Sequence, residues 1–197
     1  RAAFAMVGVS SPTDDMTWSA VIDLAREVPR EMNGVQYRGL DLDVPYDAYT
    51  QFSQNSVDPE TDEVLIQESE AYRRYLEMID ETVSIPGNYP ADDPASVLMN
   101  WGSLFGEGNI AMYPAKTHHG FLGTPNMDIV TYPVWEGYEN TAPEPNGSSY
   151  AITEPSEHKE AALEVLEYLF SDEVQMIKSK EGQASVVTTA EVHEVFA

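Results

Sequence analysis

The chain has no cysteine among its 197 residues. That excludes a disulfide framework, a thiolate metal site and a cysteine nucleophile, while leaving the compartment open, since exported proteins also do without cysteine. Basic residues are scarce: ten Lys and Arg stand against 34 Asp and Glu, a formal charge of −24. Binding to nucleic acid depends on clustered cations that neutralise phosphates, so the balance argues against a nucleic acid partner and, for the same reason, against an anionic membrane surface. No apolar run approaches the roughly eighteen residues of a membrane-spanning helix. The N-terminal stretch RAAFAMVGVSSP has one charge and too short an apolar segment to be a signal peptide. It also lacks an initiating Met, so Arg1 reads as the start of a fragment of a longer chain, with any targeting signal in the missing portion.

What is present suits a globular body. A hydrophobic share of 42% and 10% aromatics supply a core for one domain, or one and a fraction. The acids are spread along the chain, which describes a solvated acidic surface fitted to salt or alkaline surroundings rather than an acidic tail.

Local signals place the elements. In MTWSAVIDLAREVPR, Thr17 is a helix cap, Val21, Leu24, Ala25 and Val28 form an apolar stripe, and Pro29 ends the helix. Asn33-Gly34 predicts a turn before the short strand GVQYRGL, and Asp58-Pro59 with TDE predicts a hairpin-like excursion. SEAYRRYLEMIDETV is a second helix with Tyr72, Tyr75, Leu76, Ile79 and Val83 on one side, stopped by Pro86-Gly87. A third is expected from Asp93 as cap and Pro94 as first helical residue, with Trp101 on its apolar face, up to Gly106 and Gly108. NIAMYPA, MDIVTYPV and SYAIT follow as strands. PSEHKEAALEVLEYLFSDEVQMIKSKEG then gives two helices, with Ser156 and Ser171 as capping candidates, an apolar stripe through Ala162, Val165, Leu166, Leu169 and Phe170, and a stop at Gly182. Strands interleaved with helices make the fold class α/β.

The order of GVSSPTDDMTWSAVIDLA, GVQYRGL, LFGEGNIAMYPA, DIVTYPV and GSSYAITEPSEHKEAALEVLEYLFSDEVQ resembles extracellular solute-binding proteins of family 1, the carbohydrate-binding lipoproteins that feed ABC transporters. The most specific parts are Thr17-Trp18, the set Phe105, Gly108, Ala111 and Met112, and the run Lys159 to Ala162. The resemblance implies a periplasmic-binding-protein-like type II fold of two α/β lobes around a cleft, of which this chain holds mostly one. Residues 1–147 would form the C-terminal lobe, and 148–197 would cross back toward the N-terminal lobe. It further implies a protein that is extracellular and lipid-anchored in its full form, monomeric, without a cofactor, and partnered by a carbohydrate and by permease subunits.

Sugar binding needs flat aromatic faces and directed hydrogen-bond partners, not proton transfer. Tyr46 and Tyr49, with Gln51 nearby, are candidates, or else pack on the lobe. Lys116, His118 and His119 fall where the family commonly offers an aromatic after its alanine-methionine strand. Histidine still stacks and hydrogen-bonds, and Lys116 beside it also suits an acidic sugar or other anionic ligand. Gly147 and Ser148 mark the return crossing, as a hinge or simply a turn. Trp18 and Trp101 read as core, Trp135 as either, and His158 and His193 as surface residues.

Two other function classes remain open. A hydrolase would use paired carboxylates, or His118 and His119 as base or metal ligands. The chain lacks G-x-S-x-G, H-E-x-x-H and a Walker loop, adjacent histidines lack the i,i+4 spacing of a helical metal pair, and the sequence does not identify a third ligand for them. DPETDE lacks the spacing of a full calcium loop. A surface scaffold module would bind no small molecule at all.

Overall fold

In the computed structural model, which describes residues 2–42, 45–90, 92, 103–115, 127–144, 149–181, 183 and 185–196, the chain divides into two compact units. The first comprises Arg1–Ala115 and Thr124–Glu144, the second Lys116–Gly123 and Pro145–Ala197.

The first unit opens with a short helix, α1 (Ala2–Val7), and then α2 (Trp18–Arg26). Thr17 starts α2 as expected: in extended geometry, its hydroxyl accepts from the Ala20 N–H at 3.3 Å. The buried face of α2 carries Trp18, Val21, Ile22 and Ala25. Asn33 and Gly34 join β1 (Arg30–Met32) to β2 (Val35–Leu40) with φ of 53° and 78°. Two successive left-handed residues make the tight turn whose twist suits a hairpin, and Met32 pairs with Val35 across it. β2 runs on in parallel with β3 (Ile110–Met112), Arg38 opposite Ile110 and Leu40 opposite Met112, so the sheet order is β1-β2-β3.

Gly39 is required where it stands, because a Cβ there would lie 2.1 Å from the Ala25 carbonyl oxygen of α2. Beyond Tyr37, where the β1 ladder ends, the buried Asn88 side chain takes over. Its Oδ1 accepts from the Gly39 and Leu40 N–H groups at 2.8 and 3.2 Å, and its Nδ2 donates to the Leu40 carbonyl at 2.8 Å. One side chain thereby satisfies three backbone groups that burial would otherwise leave unpaired.

After β2 come α3 (Tyr46–Thr50), α4 (Glu70–Val83) and α5 (Ser103–Gly106). Ser69 caps α4 by accepting from Tyr72 N–H at 3.1 Å. The buried face of α4 is rotated from the expected one: Ala71, Tyr75, Met78 and Thr82 point inward, while Leu76 is exposed. Thr82 tolerates the interior because its hydroxyl donates to the Met78 carbonyl at 2.8 Å. The excursion between α3 and α4 closes through a Val57↔Val64 bridge, with the Asp58 carboxylate accepting from the Glu60 and Thr61 N–H groups. Those bonds hold the Asp58 carboxyl below its ordinary range. Of the helix expected from Asp93, residues 93–102, Trp101 included, lie outside the described residues.

The expected strand MDIVTYPV is not a ladder. Its pairing is the isolated bridge Thr17↔Val134, in which Trp18 N–H donates to Val134 O at 2.9 Å and Val134 N–H to Met16 O at 3.0 Å. Side chains do the remaining joining, with Asp14 Oδ1 accepting from Thr131 N–H and Thr131 Oγ1 from Asp15 N–H. Around these elements Phe4, Trp18, Leu40, Tyr49, Met78 and Trp135 belong to one buried apolar cluster.

The second unit carries α6 (Lys159–Leu169), α7 (Asp172–Lys180) and α8 (Ala190–Phe196). Ser171 caps α7 as expected, but Ser156 does not cap α6: His158 occupies that position without a side-chain bond, and Ser156 Oγ accepts from His158 N–H at 3.3 Å. SYAIT forms no strand, since its alternation finds no partner among the described residues. Gln175 is buried and staples α7 to the following loop, donating to Leu169 O at 2.9 Å and accepting from Val186 N–H at 3.1 Å. No residue of α6 is buried, and Leu163, Val165 and Tyr168 of its apolar surface are exposed, as is Phe170 beyond its end. Gly182 lies outside the described residues.

Candidate ligand-binding site

In open α/β sheets the carboxyl ends of parallel strands are where ligands are held. Here β2 and β3 end together: Asp41 N–H donates to Met112 O at 3.2 Å. The Tyr89 hydroxyl fastens the same end, accepting from Leu42 N–H at 3.1 Å and donating to Asp41 Oδ1 at 3.4 Å. The chain leaves β2 toward α3, which Tyr46 opens, and leaves β3 toward Ala115, the residue before Lys116.

Tyr46 is 53% exposed, yet its ring centroid lies 5.7 Å from that of the buried Tyr49. Tyr49 meets Tyr72 edge-on at 5.4 Å and Tyr75 at 5.6 Å. Tyr46 is therefore the outward end of a contiguous aromatic cluster. Burial, then the neighbouring Tyr72 and Tyr46, push the Tyr75 phenol up, so it stays protonated at neutral pH.

Tyr49 and Gln51 are interior residues, each 1% exposed, which corrects their expected place at a ligand surface. Tyr49 packs in the aromatic cluster, and its hydroxyl donates to Gln54 O. Gln51 Oε1 accepts from Trp18 Nε1–H at 3.0 Å and its Nε2 donates to Pro133 O at 2.9 Å, so both ends of the amide are used. Thr50 Oγ1 accepts from Glu144 N–H at 2.8 Å, which brings Glu144 against α3. Lys116, His118, His119, Gly147 and Ser148 lie outside the described residues.

Trp18 is buried, as expected. Trp135 is buried too, with Nε1–H donating to Ala48 O at 2.8 Å. The Arg74 guanidinium sits 5.3 Å from the centroid of its ring and 5.5 Å from that of Phe52, and pairs with Glu136 at 3.3 Å. Burial is the largest single influence on Glu136 and favours its neutral form. Hydrogen bonds from Ser19, the backbone and Thr17, with the Arg74 charge, outweigh it and hold the carboxyl below its ordinary range. His158 and His193 are exposed. Among the described residues no three His, Asp or Glu side chains are grouped to hold a metal.

Asn88, Tyr89 and Arg74 were not legible as part of this architecture. The one local hint is an Asn following the Pro86-Gly87 stop, where a free side-chain amide commonly serves backbone groups.

The fold and the common exit of its parallel strands define a lobe of the periplasmic-binding type. An ABC substrate-binding protein from Listeria monocytogenes, solved in complex with cycloalternan, superposes with a TM-score of 0.71 at 17% identity, over 99% of this chain and 51% of its own. A sugar transporter from Rhizobium etli in an open conformation gives 0.58 at 21%, over 100% of this chain and 52% of its own. The chain thus spans about half the length of both structures. No curated protein matches it. The sequence pattern of the bacterial extracellular solute-binding protein family matches residues 1–176, and the chain belongs to that family.

Proposed function

We propose that the chain is part of the carbohydrate-binding component of an ABC importer, which captures an oligosaccharide between two lobes and delivers it to permease subunits. The observation that carries this reading is Tyr46: an exposed ring on an anchored helix, just past the joined carboxyl ends of β2 and β3. A flat aromatic there suits the apolar face of a pyranose. Membership of the solute-binding family supports it, as do the cycloalternan complex of the Listeria protein and the sugar transporter from Rhizobium.

On this reading residues 1–147 form the C-terminal lobe and 148–197 return toward the N-terminal lobe, which covers the exposed apolar surface of α6. Tyr46, Lys116, His118, His119, Gly147 and Ser148 face the cleft. The protein acts as a monomer outside the cell, held by a lipid anchor, and performs no catalysis. Lobe closure is driven by the ligand's higher affinity for the closed form.

A calorimetric screen of the complete protein against neutral and acidic oligosaccharides tests the reading, and saturable binding without turnover is expected. Hydrolysis during the screen would establish the hydrolase instead, and silence from a folded two-lobed protein would favour the scaffold module. Tyr46→Ala and His118→Ala should each weaken binding while changing stability by less than about 1 kcal/mol. Unchanged affinity in both sinks the site.

A further inference from the structure

We propose that Gln51 is a positioning residue for ligand capture: it fixes α3 so that Tyr46 presents its ring outward. The inference rests on the carbohydrate-binding reading of Tyr46. α3 has five residues and no side-chain cap. A helix that short does not hold its geometry unaided, because nucleation costs more than so few hydrogen bonds return.

Its shape is imposed from the interior. Gln51 directly follows the last residue of α3, and its amide ties that end to the indole of Trp18 on α2 and to the backbone of Pro133. The Trp135 indole holds the middle of the helix through Ala48 O. All three bonds reach segments remote in sequence from α3. Those segments, the start of α2 and residues 133–135, are themselves joined by the Thr17↔Val134 bridge, so the helix is clamped to one braced assembly. Tyr46 stands at the other end, backed by Tyr49. A ring on a fixed backbone loses little freedom when a ligand stacks on it.

Glutamine suits this place because it offers one acceptor and one donor in a fixed plane. An apolar side chain of similar length would take the partners from the buried Trp18 N–H and the part-buried Pro133 carbonyl, and α3 would shift to relieve them. Since both ends of the amide are engaged and the residue is buried, Gln51 acts on the ligand only through α3.

The test is a double-mutant cycle of Gln51→Met and Tyr46→Ala in the complete protein. Affinity is read by calorimetry with cycloalternan and maltotetraose as probes, and the Tyr46 ring by fluorine NMR of fluorotyrosine-labelled protein, its line assigned with Tyr46→Phe. Gln51→Met is expected to weaken binding about tenfold in the native background and to add nothing to Tyr46→Ala, while the Tyr46 line shifts or broadens. Additive losses would overturn the proposal, because Gln51 would then act on the fold at large, and so would an unchanged affinity or an unmoved line. If Tyr46→Ala leaves affinity intact, Tyr46 is not a ligand platform and the premise of the proposal fails, while the fluorine line still decides whether Gln51 fixes the ring. If neither probe binds, the oligosaccharide found in the calorimetric screen takes their place. Gln51→Glu keeps the acceptor for Trp18 and loses the donor. Its second oxygen would face the Pro133 carbonyl as a buried charge. Gln51→Asn, which keeps the amide on a stem one methylene shorter, therefore serves as the second variant if Gln51→Met does not fold, with a smaller loss expected.

Discussion

Asn88 shows how much one interior side chain does here. It also donates to Thr82 O at 3.3 Å, a carbonyl that keeps the Ile85 N–H, so its replacement orphans the Gly39 and Leu40 groups of β2. Asn88→Ala should cost about 2–4 kcal/mol, read as a lower urea midpoint with unchanged slope. A cost under about 0.5 kcal/mol would mean that water satisfies those groups equally well. Glu136 gives a pH signature. Its carboxyl is held below the ordinary value of 4.5, so its contribution is fully present above that value and is lost as pH falls through the lower folded value. Glu136→Gln should therefore leave a protein that is less stable than the native chain at neutral pH and matches it at the acid end. Parallel acid-unfolding curves for the two proteins would contradict this. The side chain is half exposed, which keeps the neutral-pH difference small.

At the scale of elements, the sequence was most readable where the signal is local, although Ser156, two residues ahead of the cap position, shows that a local signal can also misplace a helix start. Thr17 and Ser171 cap through their own first-turn amides, and Asn33-Gly34 needs only its own backbone to turn. Strands and faces were less readable because partners distant in the chain decide them. MDIVTYPV alternates well, yet its neighbours offer it a single bridge. α4 presents its polar Thr82 inward once the hydroxyl has an acceptor one turn back, which no count of apolar residues foretells. In the candidate site, Tyr46 was legible as an aromatic after a strand, but the burial of Tyr49 follows from Tyr72 and Tyr75 and that of Gln51 from Trp18 and Pro133, all away from α3 in sequence. Helix α6 carries the element-scale prediction. With no buried residue of its own, it should exchange its amide hydrogens much faster than α2 in the isolated chain. Protection equal to that of α2 would count against the proposal that another lobe covers it.

For the whole molecule, charge dominates. Among the described residues ion pairs engage Arg26, Arg74 and Lys159, which leaves most of the 34 acids facing water and one another. Self-repulsion of this kind weakens as salt shortens the Debye length from about 10 Å at 0.1 M to about 3 Å at 1 M. The unfolding midpoint should rise by a few degrees over that range, equivalent to about 1 kcal/mol. A flat or falling midpoint would show that the acids are already compensated. The bridge between Thr17 and Val134 has a kinetic meaning as well. Asp14 meets Thr131 across 117 residues of chain, and β2 waits for β3 before the sheet exists as such. Contacts so distant slow folding. A nascent chain cannot close the first unit until Val134 has been made, so that unit completes its fold only late in its own synthesis.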